Sequence, residues 1–300
     1  MAVFGAGGHT GRFVVAELLA RGLRPIAIGR DRARLEQLGF AQQGVEIREA
    51  AIEDAGSLER AFEGAAAVIN CAGPFLDTAG PVASAAVRAG IHYLDVTAEQ
   101  ESARATLENF DAPARAASVV VMPAMGFYGG FADLLLSAAL GGEDSADDVS
   151  IAIALDSWHP TQGTRLTGAR NTYPRMVVSG GQMTPLTPAS GELHRDFPEP
   201  FGRQKLIELP FSEVILIARH VRTAELHTYL GEVALRDIRD PSTPPPSPAD
   251  DRGRSAQRFL VDAVVTRGGE RRRITAQGQD IYAFSAPLVC EAVERILDGR

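Results

Sequence analysis

The chain has almost no lysine: Lys205 is the only one among 30 basic residues. A Tyr-x-x-x-Lys catalytic pair of the short-chain dehydrogenase kind therefore has nowhere to form, because the residue four before Lys205 is Phe201. The phosphate-binding lysine of a Walker loop is excluded in the same way. Cysteine is nearly as scarce, with Cys71 and Cys290 far apart in sequence. Two such residues make neither a disulfide framework nor a four-ligand zinc site, and they fit a reducing cytoplasm. The six histidines show no H-x-H or H-E-x-x-H spacing, which argues against a zinc or iron centre. The G-x-S-x-G nucleophile elbow of the usual hydrolases is missing. No apolar run approaches the roughly 18–20 residues of a membrane span. No basic segment followed by an apolar one opens the chain, so no signal peptide is expected. Positive charge is also in deficit. The formal net charge of −8 argues against non-specific binding to nucleic acid or to an anionic membrane surface.

What is present is an ordinary globular composition, 45% hydrophobic and 23% charged, over 300 residues. That is enough for one large domain or two ordinary ones. The stretch that organises the rest is Val-Phe-Gly-Ala-Gly-Gly-His-Thr-Gly-Arg, residues 3–12. Ala2 to Phe4 read as a buried strand, Gly5, Gly8 and Gly11 fall three apart, and an amphipathic helix follows up to Gly22. Strand, glycine turn and helix are the context of the dinucleotide-binding fingerprint. The glycines allow a tight turn, backbone approach to a pyrophosphate and close helix–strand packing, while the helix N-terminus offers N–H groups to the phosphates. The spacing is G-x-x-G-x-x-G, since position 10 is Thr, and this variant leans towards short-chain-reductase-like branches of the fold. Thr10 adds a hydroxyl to the phosphate site, and His9 and Arg12 lie in the same turn. The first strand opens almost at Met1, which leaves it short and fits a chain start placed some residues upstream.

A second strand, 25–29, is followed by Arg30, nineteen residues beyond Gly11. An acidic residue near this spot binds the ribose 2′-hydroxyl of NAD, whereas a guanidinium holds a 2′-phosphate. NADP(H) is therefore expected over NAD(H), with Arg32 and Arg34 able to share the role; a solvated arginine at a helix start is the alternative. The pattern predicts strands over 45–52, 66–70, 92–97 and 119–122. It predicts helices over 31–38, 57–62 (capped by Ser57), 80–90 (Pro81 in its first turn), and 99–117 interrupted at Pro113. The exit of the fourth strand, Asn70 followed by Cys71, Ala72, Gly73, Pro74 and Phe75, faces the cofactor in such a fold. Cys71 reads as a small buried residue rather than a nucleophile, because no adjacent base activates it.

Beyond residue 130 the pattern changes from strand–helix alternation to runs of strands, at 149–156, 213–218, 225–236 and a hairpin over 259–277 with Gly268-Gly269 at its turn. Residues 160–205 show few periodic apolars apart from 176–178. Residues 240–254 read as a proline-rich surface loop. A last helix covers 285–297.

With residues 5–12, 73–75 and 90–97 in hand, the chain resembles the saccharopine dehydrogenase-like NADP-binding reductases, a group that includes trans-acting enoyl reductases. Residues 126–127 with 133–135, 163–164 and 278–282 carry the likeness further. It is strongest over 3–135 and poor over 160–250, and the chain is short for the group. The resemblance implies an α/β fold with a Rossmann-type doubly wound parallel sheet, plus a second α+β domain with a mixed open sheet that often mediates dimerisation. The expected division is residues 1–128, with 280–300 returning to them, and 129–279. The resemblance implies hydride transfer from NADPH to a C=N or C=C bond of a small or carrier-bound substrate, in a homodimer; the expected compartment, from the scarce cysteine, is cytoplasmic. An NADPH-binding sensor without chemistry is the alternative, and an epimerase-like enzyme borrowing NAD is disfavoured by Arg30. The groups available near the nicotinamide are those of 70–75, 95–97 and 126–130. Tyr128, between a phenylalanine and two glycines at a helix entrance, is the candidate proton donor, with domain-interface packing as its other reading. Asp133 reads as a helix anchor. Thr164, Arg170 and Tyr173 are the candidates for gripping substrate; Arg165, Arg170 and Arg175 read as a solvated loop or an anion clamp.

Overall fold

The computed structural model describes residues 1–187 and 191–300. The chain forms two compact units. One comprises Met1–Gly126, Leu166–Asn171 and Tyr282–Arg300, the other Phe127–Arg165 and Thr172–Ile281.

The first unit alternates strand and helix: β1 (Ala2–Phe4), α1 (His9–Ala20), β2 (Ile26–Gly29), α2 (Arg32–Gln37), β3 (Glu46–Glu49), α3 (Ala55–Phe62), β4 (Ala67–Asn70), α4 (Phe75–Arg88), β5 (His92–Asp95), α5 (Gln100–Ala117) and β6 (Val121–Met122). The six strands are parallel in the order β3-β2-β1-β4-β5-β6. Successive side chains along each strand point to opposite faces, and both faces are apolar, as a parallel sheet requires. Val3, Ala27, Ile69 and Leu94 pack with Val14 and Leu18 of α1 on one face. Phe4, Ile28, Val68 and Tyr93 pack with Leu58, Phe62, Val82 and Ala86 on the other. The last helix, from Ile281 to Leu297, adds Ala286, Val289, Cys290 and Val293 to the first face. Arg21 clasps it to α1 through Glu291 and Glu294.

The second unit contains α6 (Ala132–Leu140), β7 (Ser145–Leu155), α7 (Gln162–Arg170, its last five residues belonging to the first unit), β8 (Met176–Ser179), β9 (Gln182–Pro185), β10 (Leu193–Asp196), β11 (Arg203–Glu208), α8 (Ser212–Ile217), β12 (Arg222–Gly231), α9 (Glu232–Arg239), β13 (Arg258–Arg267) and β14 (Glu270–Gln279); the helix at 281–297 is α10. Its mixed sheet runs β10-β11-β12-β7-β13-β14, with β8 on β12 and β9 on β8. Among the described residues only β12 and β7 are parallel neighbours. The β10–β11 hairpin folds across one face of this sheet. Phe197 and Phe201 pack there with Ala152, Ala154 and Leu260, and Arg195 reaches the buried Asp262 of β13 at 2.8 Å.

Several elements differ from the sequence pattern. Helix α4 begins at Phe75 and not at residue 80, so Pro81 lies inside it. Helix α5 runs unbroken through Pro113. That proline sits on the exposed face, as does Asn109, whose carbonyl loses its usual helix donor to the proline ring. Asp54, not Ser57, caps α3, its carboxylate accepting from the Ser57 N–H at 3.1 Å. Residues 213–217 belong to the short helix α8 rather than to a strand, and Ala218 caps it. Their apolar side chains are buried on every side, so no helical stripe was visible. The run 225–236 divides at Gly231, where a Cβ would sit 1.9 Å from Oε1 of Gln204, and continues as α9. The segment 160–205 holds α7, β8, β9, β10 and β11.

Candidate cofactor site

Strand β1 lies between β2 and β4, so the winding reverses between β1 and β4. Ligands of open parallel sheets bind beyond the strand carboxyl ends at this switch point. The two loops that leave β1 and β4 meet there. Gly5 and Ala6 both donate N–H bonds to the carbonyl of Ile28, at 2.9 and 3.1 Å, and the Cys71 N–H donates to the carbonyl of Phe4 at 2.8 Å. Gly5 has φ +80°, and a Cβ on it would lie 2.8 Å from the nitrogen of Ala72. A Cβ on Gly11 would lie 2.2 Å from the carbonyl oxygen of Gly5. These two glycines are demanded by the protein itself.

Gly8 is different. Its φ is −75°, and a Cβ there would meet only the Gly5 carbonyl oxygen, at 3.2 Å. Its bare backbone instead opens the N-terminus of α1, which has no side-chain cap and no acidic residue in its first turn. This is the geometry of an anion cradle. Thr10 stands half-buried in the same turn and Arg12 is exposed. His9 stacks edge-on against Phe13 at 5.3 Å and Tyr282 at 5.4 Å.

Arg30 follows β2, one strand over from β1, and is exposed. Among the described residues its guanidinium has no ion-pair or hydrogen-bond partner, and neither has that of Arg34. Arg32, by contrast, is spent on Glu36 at 2.9 Å and on the carbonyl of Ile47. The free cations beyond β2 are thus Arg30 and Arg34.

The β4 exit loop, Cys71 to Phe75, is framed by buried polar groups that the sequence pattern did not single out as a set. Asn70 accepts from the Ala72 N–H at 3.0 Å and donates to the Tyr93 hydroxyl at 3.3 Å. Tyr93 donates to Asp95 at 2.7 Å. Asp95 also accepts from the N–H groups of Thr97 and Ala124. Glu99, buried, accepts from the N–H groups of Phe75 and Leu76. Burial raises the carboxyl pKa of both acids above the ordinary range, and the N–H donors pull against it. Asp95 and Thr97 are among the groups the sequence offers near the nicotinamide; Glu99 needs the three-dimensional fold. Burial, with Cys290 and Asp95 adding to it, raises the Cys71 thiol well above its ordinary value. It stays protonated at neutral pH and is no nucleophile.

Residues 1–122 match the family described as saccharopine dehydrogenase NADP binding domain. That stretch is thus similar to an NADP-binding domain. A probable mitochondrial saccharopine dehydrogenase-like oxidoreductase of Arabidopsis thaliana is 32% identical over 142 residues, 42% of this chain and 31% of the relative. The chain thus aligns to about a third of that relative's length. A saccharopine dehydrogenase (L-Glu forming) from Saccharomyces cerevisiae shares the fold, with a TM-score of 0.65 at 12% identity over 99% of this chain and 91% of that one. GenD2 from gentamicin A biosynthesis, solved in complex with NAD, superposes with a TM-score of 0.50 at 14% identity over 100% of this chain and 86% of its own. Among the described residues no helix is long and apolar enough to cross a membrane.

The remaining candidate residues are not gathered in one place. Arg170 stands beside α4, its guanidinium 3.0 Å from Asp77 in the first turn of that helix. Thr167 of the same helix would lie 2.9 Å from a Cβ on Gly73. Thr164 and Tyr173 belong to the second unit, where Thr164 shares a hydroxyl contact with Thr161 at 3.0 Å and Tyr173 is exposed. Tyr128 is also in the second unit and is only 8% exposed. Its ring lies 4.2 Å from Phe211, 4.9 Å from Phe127 and 5.4 Å from Trp158. That cluster supports packing as its role. Asp133 pairs with His220 at 2.7 Å, fixing α6 as an anchor would. Arg175 is held by the carbonyl of Pro210 and lies over the Phe211 ring, while Arg165 donates to the carbonyls of Asp240 and Thr243.

Proposed function

We propose that the protein is an NADPH-dependent oxidoreductase that transfers a hydride to a C=N or C=C bond of a small or carrier-bound substrate. The observation that carries this reading is the pairing, within an NADP-binding domain, of an uncapped α1 N-terminus bared at Gly8 with an unengaged Arg30 one strand away. The bare backbone at Gly8 and the first turn of α1, with Thr10, receive the pyrophosphate. Arg30 holds the 2′-phosphate by a forked hydrogen bond. The loop Cys71 to Phe75 borders the nicotinamide half, which supplies the hydride. Arg170, with Thr167 on the same helix, would meet substrate; Thr164 and Tyr173 are the other candidates. Tyr128 enters this reading as the proton donor to be tested. Two free thiols fit a reducing compartment such as the cytoplasm. A second copy of the chain would pair through the mixed sheet, whose β14 edge bears no further strand among the described residues.

The test has two parts. Fluorescence titration with NADPH and NADH should show the former bound more tightly, and equal affinities refute the Arg30 assignment. Oxidation of NADPH against a panel of cyclic imines and enoyl thioesters should then identify the acceptor. Binding without turnover across the panel would favour the sensor.

A further inference from the structure

The N-terminus of α4 already holds an anion, and that anion belongs to the protein. Pro74 caps α4 with no side-chain bond, so the first N–H groups of the helix need an outside acceptor. Glu99 supplies it. One carboxylate oxygen accepts from the Phe75 N–H at 2.7 Å and the other from the Leu76 N–H at 3.1 Å, with the residue 1% exposed.

Glu99 is itself fixed by a chain of bonds that returns to the same loop. Its N–H donates to the Thr97 hydroxyl oxygen at 3.0 Å, and the Thr97 N–H donates to Asp95 at 3.0 Å. Asp95 accepts from Tyr93, whose oxygen accepts from Asn70, and Asn70 accepts from the Ala72 N–H. Thr78 of α4 closes the circuit by donating to the carbonyl of Ala72 at 2.6 Å. The segment from Ala72 to Leu76 is thus gripped at both ends, and Thr167 would lie 2.9 Å from a side chain placed at Gly73.

We infer that Glu99 is a positioning residue for the nicotinamide half of the cofactor, its buried carboxylate standing where a phosphate could otherwise bind and setting the Gly73 to Phe75 edge of the crevice. This rests on reading the crevice as the NADPH site. Two consequences follow. The diphosphate is left the α1 N-terminus alone, and the edge that borders the nicotinamide responds to the charge at residue 99.

Glu99→Gln keeps the volume and one acceptor but turns an amide N–H towards a backbone N–H. The full chain is titrated with NADPH and with adenosine 2′,5′-bisphosphate, a fragment that lacks the nicotinamide half. The variant should bind NADPH about tenfold more weakly, hold the bisphosphate within about twofold, and shift the emission of bound NADPH. A merely structural role would move both affinities together or neither, and either result overturns the inference. Should Glu99→Gln fail to fold, Thr97→Val removes the acceptor that holds the Glu99 N–H and should give the same selective loss at smaller size. An unchanged ratio of the two affinities there overturns the inference as well. A parent chain with no affinity for NADPH refutes the cofactor reading itself. A parent that binds, with a variant ratio that does not move, refutes only the role of Glu99.

Discussion

Gly8 and Gly11 stand three residues apart in one turn, yet substituting each by alanine should do opposite things. At Gly11 a methyl group would lie 2.2 Å from the Gly5 carbonyl oxygen and 2.8 Å from the Cα of Ala6. Both are backbone atoms, so α1 must lift from β1. Overpacking of this kind costs about 1–3 kcal/mol, and for a unit of this size the melting temperature should fall by roughly 2–12 °C. At Gly8 the methyl meets one oxygen at 3.2 Å from an unstrained backbone. The contact needs a shift of a few tenths of an ångström, and exchanging glycine for alanine at an N-cap costs about 1 kcal/mol. Gly8→Ala should therefore melt within a few degrees of the parent while losing more than about tenfold in NADPH affinity, because the methyl occupies the approach to the helix N-terminus. Thermal melts and fluorescence titrations of the two variants decide the matter. Parent-like NADPH affinity in Gly8→Ala would show that the pyrophosphate lies elsewhere, and a parent-like melt in Gly11→Ala would refute the packing argument.

Arg30→Ala should cost about 1.5–3 kcal/mol of NADPH binding, roughly ten- to hundredfold, and leave NADH affinity unchanged; equal losses for both cofactors would remove the 2′-phosphate role. Tyr128→Phe keeps the ring among Phe211, Phe127 and Trp158 and should leave NADPH binding intact. Once an acceptor is known, an unchanged kcat in this variant eliminates the donor role. Burial raises the carboxyl pKa of Glu213. A raised folded-state pKa gives stability that is full below the unfolded value, near 4.3, and is lost as pH rises through the folded one. Glu213→Gln removes that dependence, so its melting temperature should gain on the parent as pH rises above the unfolded value; parallel profiles would show that burial does not raise this carboxyl.

The parts of the fold legible in the sequence are those whose signals are local. Gly5, Gly8 and Gly11 fall in one turn, Arg30 follows one short strand, and Gly268-Gly269 marks a hairpin of paired ten-residue strands. The features that stayed hidden depend on distant partners. Helix α4 starts five residues before its predicted first turn because its acceptor, Glu99, lies 24 residues further along the chain. The β12 strand stops at Gly231 because Gln204 occupies the space of a side chain. In α8 the apolar run is too short and too evenly buried for its period to be read. At the candidate site the same division holds: the glycine turn before α1 is legible, whereas the circuit through Asn70, Tyr93, Asp95 and Glu99 joins the ends of β4 and β5 to the start of α5.

The hairpin that crosses the mixed sheet is tied to its neighbour by little backbone. Strand β11 shares three residue pairs with β12, whereas β7 shares eight with β12 and eight with β13. Most of what holds the hairpin down is side-chain contact, namely Phe197, Phe201 and the Arg195–Asp262 pair, and Asp262 keeps Arg273 when that pair breaks. Such an element opens as a unit of its own, at a free energy below that of unfolding the sheet, and its amides exchange with solvent ahead of those in β7 and β13. Lys205 rides on this hairpin between Glu192 and Glu232. Because the chain has no other lysine, an amine-reactive dye labels this one side chain besides the α-amino group, and its rate of labelling at Lys205, read by peptide mapping, makes a built-in reporter of the hairpin's opening.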